Sequence, residues 1–318
     1  MSLALHSLFG LAIRSELALG DMPRAAADAA PDVSIRLGRI ALGEHPGGYA
    51  VTADGTLLTV PKVGRYLIRH GDEILVEAAP GASERNLRLF LLGSAFGALL
   101  HQRGLLPLHA NAIEVDGCAI AFSGHSGAGK STLAAWFHDR GHRILADDVC
   151  VIGFGDGGTP LAFPGIPRLR LWREALEASG RATAQYDRSF DDTDKYDVPT
   201  GGASSGVGSS DRDSSGEEAA VPLKLSAIYL LRQAEGESAA ITRLEGVDRV
   251  ETLVSNTYRG GYLKAISRTG EHLAACLKVA RAVPVFRAGR LWGFDRFEEQ
   301  ALLLESHARA QVGASTAE

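Results

Sequence analysis

Apolar and polar residues alternate with period two in short bursts through the first 80 positions. Ser34-Ile35-Arg36-Leu37, Tyr49-Ala50-Val51-Thr52, Arg65-Tyr66-Leu67-Ile68 and Glu73-Ile74-Leu75-Val76 are separated by Gly, Pro and Asp. That spacing predicts a small antiparallel β unit. The opening run, Met1 to Ile13, is apolar without a Lys or Arg before it or a clear cleavage site after it. It therefore reads as a further alternating strand rather than a signal peptide. The period then changes. Leu89, Leu92, Phe96, Leu99 and Leu100 recur at helical spacing between Glu84 and Arg103, with Ser83 placed to cap the start and Gly104 to close the end.

Next come two apolar runs, Asn111 to Val115 and Cys118 to Ser123, joined by Asp116-Gly117, a strong two-residue hairpin signal. The second run leads into Gly124-His125-Ser126-Gly127-Ala128-Gly129-Lys130-Ser131. A helix is expected from Lys130 to about Arg140, stopped by Gly141. Arg143 to Ala146 is a second short strand, ended by Asp147-Asp148, and Val149 to Ile152 is a third. Strand, glycine loop, helix, strand is the order of a nucleotide-binding βαβ unit. Residues 185–220 change character: a charged stretch containing Asp191 to Tyr196, then a Gly/Ser-rich run over 201–219 that reads as a flexible loop. Ala227 to Leu231 is a strand, followed by helices around Val247 to Val254 and Glu271 to Val279.

Composition narrows the function classes. The chain has 318 residues, 45% hydrophobic and 22% charged, with net charge −5. No like-charge block and no long apolar span suggests nucleic acid or membrane as a partner. The three cysteines, Cys118, Cys150 and Cys276, have no paired spacing and fit a reduced, cytoplasmic protein.

The glycine loop carries the clearest chemistry. Phosphates need several backbone N–H donors converging on one point, and Gly124, Gly127 and Gly129 clear that approach. His125, Ser126 and Ala128 are its variable positions, and Thr132 follows on the helix. Lys130 is placed to reach the outer phosphates and the Ser131 hydroxyl to hold Mg²⁺. There is no dinucleotide fingerprint and no guanine-specifying Asn-Lys-x-Asp, so ATP is the expected nucleotide. Asp147 and Asp148 close a strand expected next to the phosphate-loop strand, at the rim of this loop, where one carboxylate serves Mg²⁺ and a second is free to deprotonate an attacking hydroxyl. Counting outward from the hairpin turn sets His109 opposite Gly124, beside the loop's mouth.

The block from Leu108-His109 through Gly124–Ser131 to Gly141-His142-Arg143-Ile144-Leu145-Ala146-Asp147-Asp148 resembles the catalytic domain of HPr kinase/phosphorylase. The resemblance covers about 40 residues. It implies an α/β, P-loop, phosphoenolpyruvate carboxykinase-like kinase domain, residues 84–310; the small β-rich N-terminal domain in front of it, residues 1–83, is read from the alternating pattern and does not resemble that family's regulatory domain. The resemblance further implies an ATP- and Mg²⁺-dependent serine kinase with Asp147 as base, Asp148 and Ser131 at the metal, and His109 against Asp148 or the transferred phosphate. Where that family carries a glutamate-containing glycine motif, Phe163 to Trp172 has no carboxylate. The kinase direction is implied and the phosphorylase direction is not. The stretch is closer to divergent HPr-kinase-like proteins of proteobacteria, some of which phosphorylate the C-terminal serine of a lasso-peptide precursor. The implied partner is a peptide or protein bearing an acceptor serine, with a homo-oligomer left open.

Three basic residues are candidates for the acceptor side. Lys195 lies in the charged stretch, which reads either as an ordinary solvated charged loop or as a movable segment whose lysine closes over the γ-phosphate as the acceptor docks. Arg168 and Arg170 share one strand face, facing either a phosphate or acceptor carboxylate or local acids. Two rival functions stay open: a kinase or carboxykinase-type enzyme acting on a small molecule, and a non-catalytic nucleotide-binding regulator.

Overall fold

The computed structural model describes residues 4–316 except 27, 191–192, 201–220, 235, 237, 292 and 294. The expected Gly/Ser loop and Asp191-Asp192 thus lie outside the described residues.

The first sheet joins β1 (Leu5–Leu8), β2 (Leu11–Ser15), β3 (Val33–Leu37), β4 (Gly48–Thr52), β5 (Gly55–Val60), β6 (Gly64–Arg69) and β7 (Glu73–Ala78), in the order β1-β2-β3-β7-β6-β5-β4. It is mixed rather than antiparallel, because β3 pairs in parallel with both β2 and β7. Period two fixes which face a strand buries and not the direction of its neighbours, so the sequence pattern could not distinguish the two.

The expected helix from Glu84 to Arg103 is present as α1 (Glu84–Phe90) and α2 (Phe96–Gln102), joined by a π-helical turn over Leu91–Ala95. Ser83 accepts the Asn86 N–H at its start. The helix side chains Leu87, Leu91, Phe96 and Leu100 share a core with Ile13, Ile35, Tyr66 and Ile74 of the first sheet and with Val149 and Val151. The N-terminal sheet is therefore packed onto the strand that follows the aspartate pair.

After α2 come β8 (Leu106–Leu108), β9 (Ala110–Val115) and β10 (Cys118–Ser123), then α3 (Lys130–Asp139), β11 (Ile144–Ala146), β12 (Cys150–Phe154) and β13 (Pro160–Phe163). A small separate sheet follows, in the order β14-β16-β15: β14 (Arg168–Trp172), β15 (Asp187–Arg188) and β16 (Lys195–Pro199), with α4 (Arg173–Ala178) after β14. The chain returns as β17 (Leu223–Gln233), β18 (Ala240–Arg243), α5 (Gly246–Ser255), α6 (Tyr262–Ala265), α7 (Thr269–Ala282), β19 (Val285–Arg290) and α8 (Phe297–Thr316). The main sheet runs β11-β9-β10-β17-β13-β12-β8, with β19 also paired to β17. The protein is α/β. Among the described residues no helix is long and apolar enough to cross a membrane.

One expected adjacency is corrected. The strand carrying the aspartates was expected beside the phosphate-loop strand, but β11 pairs with β9 and β10 pairs with β9 and β17. The hairpin partner takes that edge of β10, because a two-residue turn at Asp116-Gly117 forces β9 against it. Both turn residues have positive φ, 47° and 80°, as such a turn requires.

Candidate active site

The β9–β10 register begins at Val115 opposite Cys118 and ends at Ala110 opposite Ser123. The next pair outward is His109 and Gly124, where the Ser123 hydroxyl donates to the His109 carbonyl at 3.0 Å. The histidine side chain is thereby carried to the mouth of the glycine loop. Its Nε2 lies 3.1 Å from Lys130 Nζ, while Nδ1 lies 3.1 Å from the Asp148 carbonyl oxygen and 3.4 Å from Asp148 Oδ1. These partners select one tautomer: Nδ1–H donates toward Asp148, and Nε2 accepts from the lysine. Burial, and then the charge of Lys130, lower the pKa of His109, so the ring is neutral at pH 7.

The loop itself is shaped by glycine. Gly124, Gly127 and Gly129 have φ of 148°, 85° and 80°. A Cβ on Gly124 would come within 2.8 Å of the Leu231 carbonyl oxygen on β17, so only glycine lets the loop leave β10 there. Gly129 precedes the first residue of α3, and the helix N-terminus with its unpaired N–H groups faces the loop. Lys130 is buried, and its ammonium donates to the carbonyls of Gly124 at 2.7 Å and His125 at 3.1 Å.

The aspartates divide between two environments. Asp147 is part-buried; it accepts the Ser131 hydroxyl at 3.2 Å and the Arg170 backbone N–H at 2.6 Å. Burial pushes its carboxyl up to about 6, although the Arg170 hydrogen bond opposes this. Asp148 has φ of 71°, the left-handed region that few side chains enter, and aspartate is among those that tolerate it. The turn of the backbone at that residue points its carboxylate the other way, to His109 and toward the Arg170 guanidinium at 3.6 Å. The expected allocation set Asp147 at the reacting hydroxyl and Asp148 with Ser131 at the metal. The geometry pairs them oppositely: Asp147 is bonded to Ser131, and Asp148 opens with His109 into the cavity.

That cavity has a volume of about 420 Å³. The loop from Ser126 to Gly129, Lys130, Ser131 and Thr132 forms its floor, with His109, Asp148 and Lys195 on one side and Arg290, Leu291 and Phe297 on the other. Gly124 and His125 shape the loop from behind and do not line it.

On the acceptor side one expectation is corrected, and one choice between alternatives is decided. Lys195 is not on a movable loop; it opens strand β16, opposite Trp172 of β14, and its ammonium lies 4.9 Å from that ring. A charged sequence concealed a strand because its two buried positions, Tyr196 and Val198, alternate with Lys195, Asp197 and Pro199, two charges and a residue that rarely sits in a strand. Arg168 and Arg170 take local acids: Arg168 pairs with Asp197 at 2.8 Å, and Arg170 bridges Asp148 and Asp197. Neither lines the main cavity.

Sequence reasoning missed Arg290, Leu291 and Phe297. The signal in the sequence was the short apolar run before Arg290, which reads as a strand; its parallel pairing with β17, which brings its carboxyl end to the loop, is seen only in the fold.

The HPr kinase/phosphorylase of Treponema pallidum is 38% identical to this chain over 79 residues, 24% of this chain and 23% of that protein. That of Leptospira biflexa is 38% identical over 92 residues, 26% of this chain and 29% of that protein. Over these stretches the chain is similar to HPr kinase/phosphorylase. The similarity spans only about a quarter of the length of these relatives. Among solved structures, the Hpr(Ser) kinase/phosphatase from Coxiella burnetii matches over 66% of this chain and 95% of that one, at 12% identity and a TM-score of 0.33. No family model matches the chain.

Proposed function

We propose that the chain is a kinase that transfers the γ-phosphoryl group of Mg-ATP to a serine hydroxyl of a peptide or protein. The observation that carries this reading is the convergence of Lys130, His109 and Asp148 at the mouth of the glycine loop. A binder of nucleotide needs the lysine and the loop amides. It has no use for a cavity-facing carboxylate oriented by a neutral histidine.

In this reading the amides of Ser126 to Thr132 and the Lys130 ammonium hold the β- and γ-phosphates. Ser131 and Asp147 fit a magnesium site. Their oxygens lie 3.2 Å apart, a hydroxyl and a carboxylate of the hard-donor type that would together hold the ion beside the phosphates. An ion held there would supply neutralisation of the phosphate charge. Asp148 takes the proton of the incoming hydroxyl. His109 fixes the Asp148 carboxylate through Nδ1 and keeps Lys130 turned toward the phosphates through Nε2. Lys195 brings a further positive charge to the side of the cavity where the transferred group departs. The arrangement achieves transfer by positioning and charge neutralisation, as phosphoryl transfer requires.

The names of the relatives favour a protein acceptor over a metabolite, and HPr itself is the first candidate. The C-terminal serine of a lasso-peptide precursor is the second. Incubating the chain with γ-labelled Mg-ATP, HPr and peptides encoded beside it, then mapping the label by mass spectrometry, tests the reading. Label on serine is expected. Label found only on a small molecule would replace the proposal with a metabolite kinase, and ATP bound without any transfer would leave a nucleotide-binding regulator.

A further inference from the structure

We infer that Arg290 is a second cationic ligand of the nucleotide, gripping its phosphate chain at the nucleoside end, across the loop from Asp148. The inference rests on the Mg-ATP reading of the loop.

Sheet order supplies the placement. Asp148 follows β11, on one flank of β10, and Arg290 ends β19, reached through β17 on the other flank. The guanidinium lies against the start of α3, with Nη1 3.2 Å from the position a Cβ on Gly129 would occupy. Leu291 and Phe297 continue the cavity wall beyond it, and the Phe297 ring centroid is 5.2 Å from Cζ. An apolar wall beyond a cation beside the loop is suited to a nucleoside attached to a phosphate.

Burial supplies the second observation. Arg290 is only 8% exposed, and its Nε is buried without a hydrogen-bond partner. Among the described residues no carboxylate lies within 4.0 Å of its guanidinium, whereas Arg168 and Arg170 are each answered by aspartate. Burial lowers its pKa to about 10, which still leaves it charged at neutral pH. A buried, unanswered guanidinium is unfavourable to the fold alone. An anion at the loop removes that penalty, and the loop amides already aim at the same place.

The test combines melting with binding, using Arg290→Met, Arg290→Lys and the wild-type chain. Without nucleotide, Arg290→Met should melt at or above the wild-type temperature, since it removes an uncompensated charge while keeping the packing against Phe297. By calorimetry it should bind Mg-ATP and Mg-ADP more weakly by a similar factor, about ten- to a hundredfold, with Arg290→Lys recovering part of the loss. Unchanged affinity for both nucleotides overturns the inference. So does a loss confined to ATP, which would move the contact to the γ-phosphate. Equal loss in both variants with lower melting temperatures would make Arg290 a structural cation and also overturn it. A wild-type chain that binds neither nucleotide would instead sink the Mg-ATP reading itself.

Discussion

The Ser131 hydroxyl donates to Asp147, not to Asp148, at 3.2 Å. The two neighbouring carboxylates therefore have different neighbours, one under the helix start and one beside His109 in the cavity. Separate substitutions should separate their effects. Asp147→Asn should raise the magnesium concentration needed for half-maximal turnover and leave the rate at saturating metal much less affected. Asp148→Asn should keep Mg-ATP binding and lower the transfer rate by about 10²–10⁴, the usual worth of a general base. Rates against magnesium for the two variants decide it; the reverse pattern would restore the original allocation of the pair.

The pH dependence follows from Asp147. Its carboxyl is raised by burial to about 6, above the ordinary aspartate value, so the folded chain holds this proton more tightly than the unfolded chain does. Metal must displace that proton. Magnesium affinity should fall by about tenfold per pH unit below about 6 and flatten above it. Without metal, the same shift makes Asp147 progressively unfavourable to the fold as pH rises from about 4 to 6. Asp147→Asn should therefore be more stable than wild type at pH 7 to 8, with the difference shrinking toward pH 4. Melting curves across that range check the sign.

Much of this site was legible because its parts are local in sequence. The loop, its lysine and serine, the hairpin that fixes His109 and the paired aspartates all lie within 40 residues, and a two-residue turn determines its own register. The different surroundings of Asp147 and Asp148 were not legible. They depend on the positive φ of Asp148, which rotates one carboxylate away from its neighbour, and on the Arg170 N–H that anchors the other. Lys195 and Arg290 were missed or misplaced for a related reason. Each reaches the cavity through strand pairing with a distant segment, β16 on β14 and β19 on β17, which no local period encodes. The parallel strands in the first sheet escaped for the same cause.

Lys130 has two kinds of partner, the carbonyls of its own loop and the imidazole of His109. Lys130→Ala should weaken Mg-ATP binding by at least tenfold to a hundredfold, because charge-assisted contacts to phosphate are lost in a buried setting. It should also raise the pKa of His109, since the lysine charge is the second cause of its depression. Histidine titration by NMR reads that shift independently of turnover. An unmoved His109 would mean that the two side chains do not communicate in solution.

The basic residues near the acceptor side should fall into two groups. Arg168 and its partner Asp197 are about one-fifth exposed, and Arg168 lies away from the cavity. Arg168→Met leaves the Asp197 carboxylate partly buried with fewer donors, which should destabilise the chain by about 1–3 kcal/mol. Any effect on acceptor phosphorylation should then follow the loss of folded protein. Lys195 is different. It lines the cavity beside His109 and Asp148, and its contact with Trp172 is a cation–π contact of modest worth near a surface. Lys195→Met should barely move the melting temperature yet lower the transfer rate by about tenfold or more, because it withdraws positive charge from the departing phosphoryl group. Its Mg-ATP affinity should change less than its rate. Melting and single-turnover rates measured on both variants distinguish the groups. A Lys195→Met chain that transfers at the wild-type rate would make the lysine a brace for β16 against Trp172, and the cavity would then rely on Lys130 alone on that side.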